Sequence, residues 1–415
     1  MKISRKVFAL FLLSLLAIIL TTSFTLQAEE ILPMADWPMF RHDPQHSGNN
    51  SCGAPITGSV LWETNIGLPI YSSPAIASGK EFFGVNGQVL ALDARTGKTI
   101  WKAPMAGEIY SSPAVDPKAW KAGLVYIASY GSRSSTLSAL DMNTGALCWW
   151  TWMTTKSSPT VVQNPPILIS SLIYPPIPRA TVYIGSGDYL LALDADTGKE
   201  LWRFLGTGVI DSTPAVDEQN VYFGTNANWF YAVNRYTGKL VWNFATKGAI
   251  SSSPSVGPKL VVFGDTAGYV FFLDKVTGSI IKYYITPGPI TSSPAYTPGS
   301  IDPSPAENAG AIYIASSSGP DSASGSILFK FSESGLPIWK VPVPGQVHSS
   351  PAVAAGRVYI GSQGSKSSAI FCFNATTGAQ HWYKWMMMYS SPSIANNFLY
   401  VTTLDGMAYC LLDWL

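Results

Sequence analysis

Apolar residues in this chain come in short runs, cut every few positions by Gly, Pro, Asn, Asp or Ser. One stretch shows the unit: "YSSPAIA" (Tyr71–Ala77), "EFFGV" (Glu81–Val85), "QVLALD" (Gln88–Asp93) and "KTIWKAP" (Lys98–Pro104). Each piece is apolar-rich and bounded by turn formers, which is the pattern of a β-strand. The third and fourth pieces are joined by "ALDARTGKTIW" (Ala91–Trp101). There the Asp side chain can bond the backbone two residues on, and the Gly can take a positive φ. The sequence therefore predicts a hairpin closed at that point.

The same turn returns as "ALDMNTGALCW" (Ala139–Trp149), "ALDADTGKELW" (Ala192–Trp202) and "AVNRYTGKLVW" (Ala232–Trp242). Self-similarity at a fixed period marks a repeat architecture. Two marks carry the period. Ser-Ser-Pro, or a close variant, places its Pro at 74, 113, 159, 214, 254, 294, 351 and 392, about 40 residues apart with three longer intervals. Thr-Gly, once Ser-Gly, places its Gly at 58, 97, 145, 198, 238, 278, 335 and 378. Four residues later stand Trp62, Trp101, Trp149, Trp202, Trp242, Trp339 and Trp382, while Lys282 takes the slot after Gly278. Four strands in about 40 residues, repeated eight times, predict an all-β fold, an eight-bladed β-propeller of four-stranded blades. The Trp residues are expected to pack one blade on the next. Pro74 and its equivalents are placed inside each first strand, where Pro is tolerated because the innermost strand is an edge. After Pro392 the chain offers three strands, while "TGSVLWETNI" (Thr57–Ile66) stands early as an orphan fourth. The last blade is therefore predicted to be closed by the N-terminal strand, which removes the open edges of the ring.

Charged residues are 12% of the chain and the net charge is +1. No basic stripe points to nucleic acid, which is excluded as a partner. The N-terminus has Lys2, Arg5 and Lys6, an apolar run from Val7 to Leu20, and a polar stretch ending at Ala28. That is the layout of a secretory signal peptide cleaved after Ala28; an uncleaved membrane anchor is the alternative. The domain reading is a signal or anchor over 1–28, a lead-in segment over 29–56 and the propeller over 57–415. The protein is expected to be exported, periplasmic or extracellular, and monomeric. Membrane contact is expected only through an uncleaved N-terminus. The residues Cys52, Cys148, Cys372 and Cys410 show no C-x-x-C spacing, so neither a haem nor a zinc site is indicated. Export permits a disulfide, but buried free thiols fit as well.

The turn with its Trp resembles the tryptophan-docking motif of the pyrroloquinoline-quinone (PQQ) repeat propellers. The segment "DWPMFRHDPQHSG" (Asp36–Gly48) is similar to the lead-in of many secreted PQQ-like repeat proteins. The resemblance covers roughly 36 to 415. It implies either of two roles. Quinoprotein dehydrogenases hold PQQ and Ca²⁺ at the channel mouth; the propeller lipoprotein of the Bam complex binds no cofactor and is a scaffold. The chain lacks the adjacent Cys-Cys pair and long insertions of the dehydrogenases, and the lipid-attachment Cys of the lipoprotein.

In a propeller the connections from each fourth strand to the next first strand share one face, the top, with the hairpins between second and third strands. The residues before each Ser pair read, around that face, Tyr71, Tyr110, Lys156, Asp211, Ser251, Thr291, His348 and Tyr389. Tyr389, Tyr71 and Tyr110 are expected to form one aromatic arc, with Lys156 and Asp211 a modest ion pair on neighbouring blades. Tyr71, Tyr110, Lys156, Asp211, His348 and Tyr389 are the candidate ligand-binding residues of the channel mouth; no catalytic or metal-ligating residue is assigned. Glu108, Asp188, Asn226, Asp265 and Asp405 on the same face are scattered oxygens better read as turn formers. "WWTWMTTKSSP" (Trp149–Pro159) and "WYKWMMMYSSP" (Trp382–Pro392) look adhesive, as does the Pro-bounded loop Asn164–Arg179. The expected function is a non-catalytic binding or scaffold module for a protein or cell-surface partner, with no cofactor. The alternative is a small quinoprotein oxidoreductase using PQQ and Ca²⁺, and a weaker third is a carbohydrate-binding propeller.

Overall fold

A computed structural model describes residues 35–119, 123–131, 135–164, 178–299, 310–317, 325–364 and 368–413. The proposed signal and most of the Asn164–Arg179 loop lie outside the described residues. Eight sheets stand as the blades of a propeller, each of four antiparallel strands, and Asn49–Asn50 adds to blade 7 as a fifth strand parallel to Ala352–Ala354. Blade 1 is Ala75–Ala77, Lys80–Val85, Gln88–Asp93 and Thr99–Pro104, in the order read from the sequence. The first strands of successive blades touch one another all round a closed ring. The eighth blade takes Ser393–Ala395, Phe398–Thr402 and Met407–Leu412 from the C-terminus and Ser59–Asn65 from the N-terminus. Trp62 pairs Cys410 and Asn65 pairs Met407 across that junction.

The recurrent turn forms as its chemistry demands. Asp93 Oδ1 accepts hydrogen bonds from the backbone N–H of Arg95 and Thr96 and from the Thr96 hydroxyl, while Gly97 N–H returns to the Asp93 carbonyl.

The Ser-Ser-Pro marks do something the sequence reading missed. Each first strand begins after its Pro, not around it; in blade 1 it starts at Ala75. The backbone N–H of the second Ser is engaged sideways instead. Ser73 N–H donates to Ser112 Oγ at 3.0 Å, Ser112 to Ser158, Ser158 to Thr213 and Thr213 to Ser253. Ser253 continues to Ser293, Ser293 to Ser350, Ser350 to Ser391, and Ser391 returns to Ser73 Oγ at 2.9 Å. The eight bonds form a closed belt around the channel. The small hydroxyl is needed because each one must reach the next blade's backbone where the strands converge.

Below this belt the lead-in segment crosses the channel. Residues 37–50 touch the first strand, or its approach, in every blade. Trp37 exchanges two backbone bonds with Ile76; the carbonyls of Pro38, Pro44, Gln45, Ser47 and Gly48 accept from Val115, Val216, Val256, Tyr296 and Val353. His46 reaches Thr160 Oγ1 and the Pro254 carbonyl, and Asn50 donates to Ile394. Arg41 is buried and donates to the carbonyls of Pro294 and Pro351. Burial lowers its pKa to about 9, so it stays charged at neutral pH, and burial lowers His46 to about 3, which keeps that ring neutral. The segment is a plug fastened to all eight blades, and the channel is blind from the bottom.

Among the described residues, one buried carboxyl has neither oxygen hydrogen-bonded. Glu81, on the second strand of blade 1, is 0% exposed and neither carboxylate oxygen is hydrogen-bonded. It shares the interface of blades 8 and 1 with Ile76, Leu92, Tyr400 and Cys410. Burial raises its pKa well above 4.5.

Two outcomes are expected. Ser253→Ala orphans the buried Thr213 N–H and costs about 1–3 kcal/mol, whereas Ser253→Thr, which keeps the hydroxyl as Thr213 does, costs less. Equal urea midpoints for the two variants would contradict the belt. The folded state also holds the Glu81 proton more tightly than the unfolded chain. Its contribution is therefore present below about pH 4.5 and is lost as pH rises from there towards the raised folded value, at up to about 1.4 kcal/mol per pH unit. Glu81→Gln should remove that slope, so its melting advantage over wild type grows with pH; an advantage that stays flat from pH 4 to 8 would contradict a buried neutral acid.

Candidate functional site

The top mouth is built by the residues that precede each Ser pair, because the belt holds all eight at one level. Four adjacent blades contribute aromatic rings. His348 stacks on Tyr389 with centroids 5.2 Å apart, Tyr389 meets Tyr71 edge-on at 5.2 Å, and Tyr71 lies 5.2 Å from Tyr110. The sequence named these residues; the structure adds Tyr130, from the hairpin of blade 2, with its ring 6.4 Å from Tyr110. Its signal was weak, a lone Tyr in "ASYGS". The expected ion pair is not formed. Lys156 Nζ lies over the rings of Tyr110 and Tyr130, at 5.3 and 5.1 Å, and acts on Asp211 only through space.

The carboxylates have different duties. Glu108 accepts the Tyr110 hydroxyl at 2.7 Å, and this bond leads the causes that raise that phenol's pKa to about 12. Asp211 is raised by burial, an effect Lys156 partly offsets. Burial lowers the pKa of His348, so its ring is neutral at pH 7. Asp265 is a turn former: its oxygens accept the N–H groups of Gly248 and Tyr269. Asn226 likewise accepts from Val209. Asp188 and Asp405 sit in the turns before Tyr189–Asp194 and Met407–Leu412.

The outer rim carries two matched aromatic pairs. Trp150 and Trp152 meet at 5.0 Å on blade 2, and Tyr383 and Trp385 at 5.3 Å on blade 7. Trp152 and Trp385 are each 63% exposed. Of the methionine run, Met386 and Met388 are core and Met387 faces solvent. On the bottom face a groove of about 670 Å³ lies between the plug and blades 4 to 6. Its Asp217 is already paired with Lys275 and bonded by Tyr222. The four cysteines are free thiols.

The turn tryptophans sit between blades. Each Nε1–H of Trp62, Trp101, Trp149, Trp202, Trp242 and Trp339 donates to a carbonyl in the next blade's turn, those of Ala94, Met142, Ala195, Arg235, Lys275 and Ala375. The ring lies flat on the turn glycine: a Cβ on Gly238 would stand 2.6 Å from the Trp202 ring, and its φ is +67°. A second-strand tyrosine often shares the carbonyl, as Tyr183 does with Trp202 at Arg235. Lys282 covers Gly335 with its stem. Trp382 covers Gly58, but its Nε1–H has no acceptor, because in blade 8 the chain ends replace the turn.

A family model described as "Outer membrane protein assembly factor BamB" matches residues 51–169 and 133–383. No curated protein matches the sequence. Among solved structures, the chain is similar to BamB from Moraxella catarrhalis, with 17% identity, a TM-score of 0.64 and coverage of 86% of this chain and 97% of that one. It is also similar to a europium-containing methanol dehydrogenase (13%, TM-score 0.70, 91% and 98%). The quinohemoprotein alcohol dehydrogenase from Comamonas testosteroni is a third (15%, 0.68, 91% and 80%). At these identities the likeness is one of fold, and it spans an assembly factor and two dehydrogenases alike.

The unpaired Trp382 gives a graded expectation. Trp242→Phe loses a hydrogen bond as well as area and should cost about 1 kcal/mol more than Trp382→Phe. Trp242→Ala should cost about 3–5 kcal/mol, and Trp202→Ala less, because the Trp242 ring is buried and the Trp202 ring is partly exposed. Equal costs of the two Phe variants in chemical denaturation would remove the role given to the Nε1–H bond.

Proposed function

Because the chain belongs to the family of the outer membrane protein assembly factor BamB, we propose that it is an exported, non-catalytic binding module that holds a protein partner against its aromatic sector. The observation that carries this reading is the pair of matched, solvent-exposed aromatic clusters on blades 7 and 2. Trp and Tyr supply most of the energy of protein interfaces, since they offer large area with little entropy to lose. Met387 adds an adaptable apolar contact. Blades 8 and 1 lie between these clusters and present Tyr389 and Tyr71 at the mouth, so the sector is continuous from rim to channel.

PQQ with Ca²⁺ is a poor fit to this mouth. The quinone is anionic, yet Lys156, the cation that the described residues bring to the mouth, is already held by two rings. Ca²⁺ takes six to eight oxygens, yet Glu108 is bonded to Tyr110, and no three His, Cys, Asp or Glu side chains converge among the described residues.

The test is a photo-crosslinking residue placed at Trp152 or Trp385 in the native cells, with Asn243 and Lys340, exposed on blades 4 and 6, as controls. A discrete crosslinked species at the two aromatic positions and not at the controls is expected. Identical patterns at all four positions would sink the scaffold reading. So would saturable PQQ binding below about 1 mM accompanied by dye-linked alcohol oxidation, which would put the quinoprotein reading in its place.

A further inference from the structure

The mouth has a chemical character that the scaffold reading does not specify. It is a cup open on one side only, since the plug closes the channel beneath the serine belt. Half its wall is aromatic: His348, Tyr389, Tyr71, Tyr110 and Tyr130 follow one another at centroid spacings of 5.2 to 6.4 Å. Tyr71 and Tyr389 are each 37% exposed, so their surfaces are available. The opposite wall offers the exposed side chains of Ser251 and Asp211. Among the described residues at the mouth, Glu108 and Asp211 are acidic and Lys156 is basic. His348 adds no charge at neutral pH. Arg41 lies across the belt, fastened to the carbonyls of Pro294 and Pro351.

An electron-rich ring face attracts a cation, and more strongly when carboxylates stand nearby and water is partly excluded. The cup already demonstrates this with its own lysine. Lys156 Nζ has left Asp211 and lies over Tyr110 and Tyr130. Among the described residues, the rings of Tyr71 and Tyr389, one and two blades further on, present the same chemistry with no cation over them.

We infer that the channel mouth is a binding site for an organic cation, an ammonium or guanidinium group, which lodges against Tyr71 and Tyr389 with Asp211 and Glu108 as its counter-charges. The inference rests on the mouth being a binding site of a non-catalytic module. It reverses the charge of ligand that a quinone cofactor would demand. Lys156 is then an internal competitor, covering part of the aromatic wall until a ligand displaces it.

The probes are choline, its neutral isostere 3,3-dimethylbutanol, and a capped Gly-Arg-Gly peptide, each titrated into the whole protein and followed by calorimetry and ligand-observed NMR. Choline or the peptide should saturate, and the isostere should bind at least about fivefold more weakly. Asp211→Asn and Tyr71→Ala should each weaken binding by about tenfold, and Lys156→Met should tighten it several-fold. Asp211→Asn, which keeps size and hydrogen bonding, serves if Tyr71→Ala fails to fold. Binding of choline alone assigns the site to a free quaternary ammonium compound; binding of the peptide assigns it to a side chain of a partner. The inference is overturned if neither cation saturates, if the isostere binds as well as choline, or if Lys156→Met weakens binding. None of these results touches the crosslinks expected at Trp152 and Trp385, so the site and the scaffold role stand or fall separately.

Discussion

The belt of eight backbone-to-hydroxyl bonds around the channel is the constraint on which the rest of the molecule depends. Each bond is weak alone, roughly 1 kcal/mol net. Their effect is geometric. An N–H that must meet the next blade's hydroxyl at about 3 Å fixes the separation of neighbouring first strands, and eight such separations fix the ring. The Pro that follows has no N–H, so the channel wall carries no orphan donor at that level. Its carbonyl, freed from the ladder, is available inward. Arg41, His46, Thr160 and Ser393 take those of Pro294 and Pro351, Pro254, Pro214 and Pro74. One tripeptide thus closes the ring, anchors the plug below and levels the mouth residues above.

Towards the rim a second device takes over. The belt holds the blades at their inner ends, and the turn tryptophan holds them near their outer ends. Its ring needs a residue without a side chain beneath it and a carbonyl at its edge, and the repeated turn supplies both within a few residues. The positive φ that turns the chain also exposes the glycine face. The device is missing one part wherever the repeat is interrupted. Lys282 brings only an aliphatic stem to Gly335, and Trp382 finds Gly58 but no carbonyl, because blade 8 is assembled from both chain ends.

The blade count, the strand order and the N-terminal closing strand were legible because they follow from spacing, and spacing survives the loss of three-dimensional context. The membership of the mouth was legible for the same reason: residues one step before a periodic mark must share a level. What those residues do there was not. Lys156 and Asp211 are neighbours in the list of blades, which suggested a pair, but the ring of Tyr130 comes from a hairpin with no repeat signature and it captured the lysine. The belt escaped because its donor and acceptor lie about 40 residues apart and the sequence shows only two serines side by side. The plug escaped because a segment that touches every blade once has no period of its own. Its Arg41 and His46 are buried.

The plug also decides what kind of machine the propeller can be. With the bottom of the channel crossed by residues 37–50, nothing passes through, and a ligand that enters the mouth must leave by it. The binding role proposed above asks this blind cup, with many of its polar groups tied to one another, to hold rather than to transform. Glu108 holds Tyr110, Lys156 rests on rings, and His348 is neutral and stacked. Catalysis would need groups free to change their bonding during a reaction. Recognition needs groups already fixed in place, because whatever is fixed before binding need not be ordered during it. The rigid belt, the eight-point plug and the mutually packed tyrosines all act in that second direction, and the exposed tryptophans at the rim extend the same prepared surface outward from the cup.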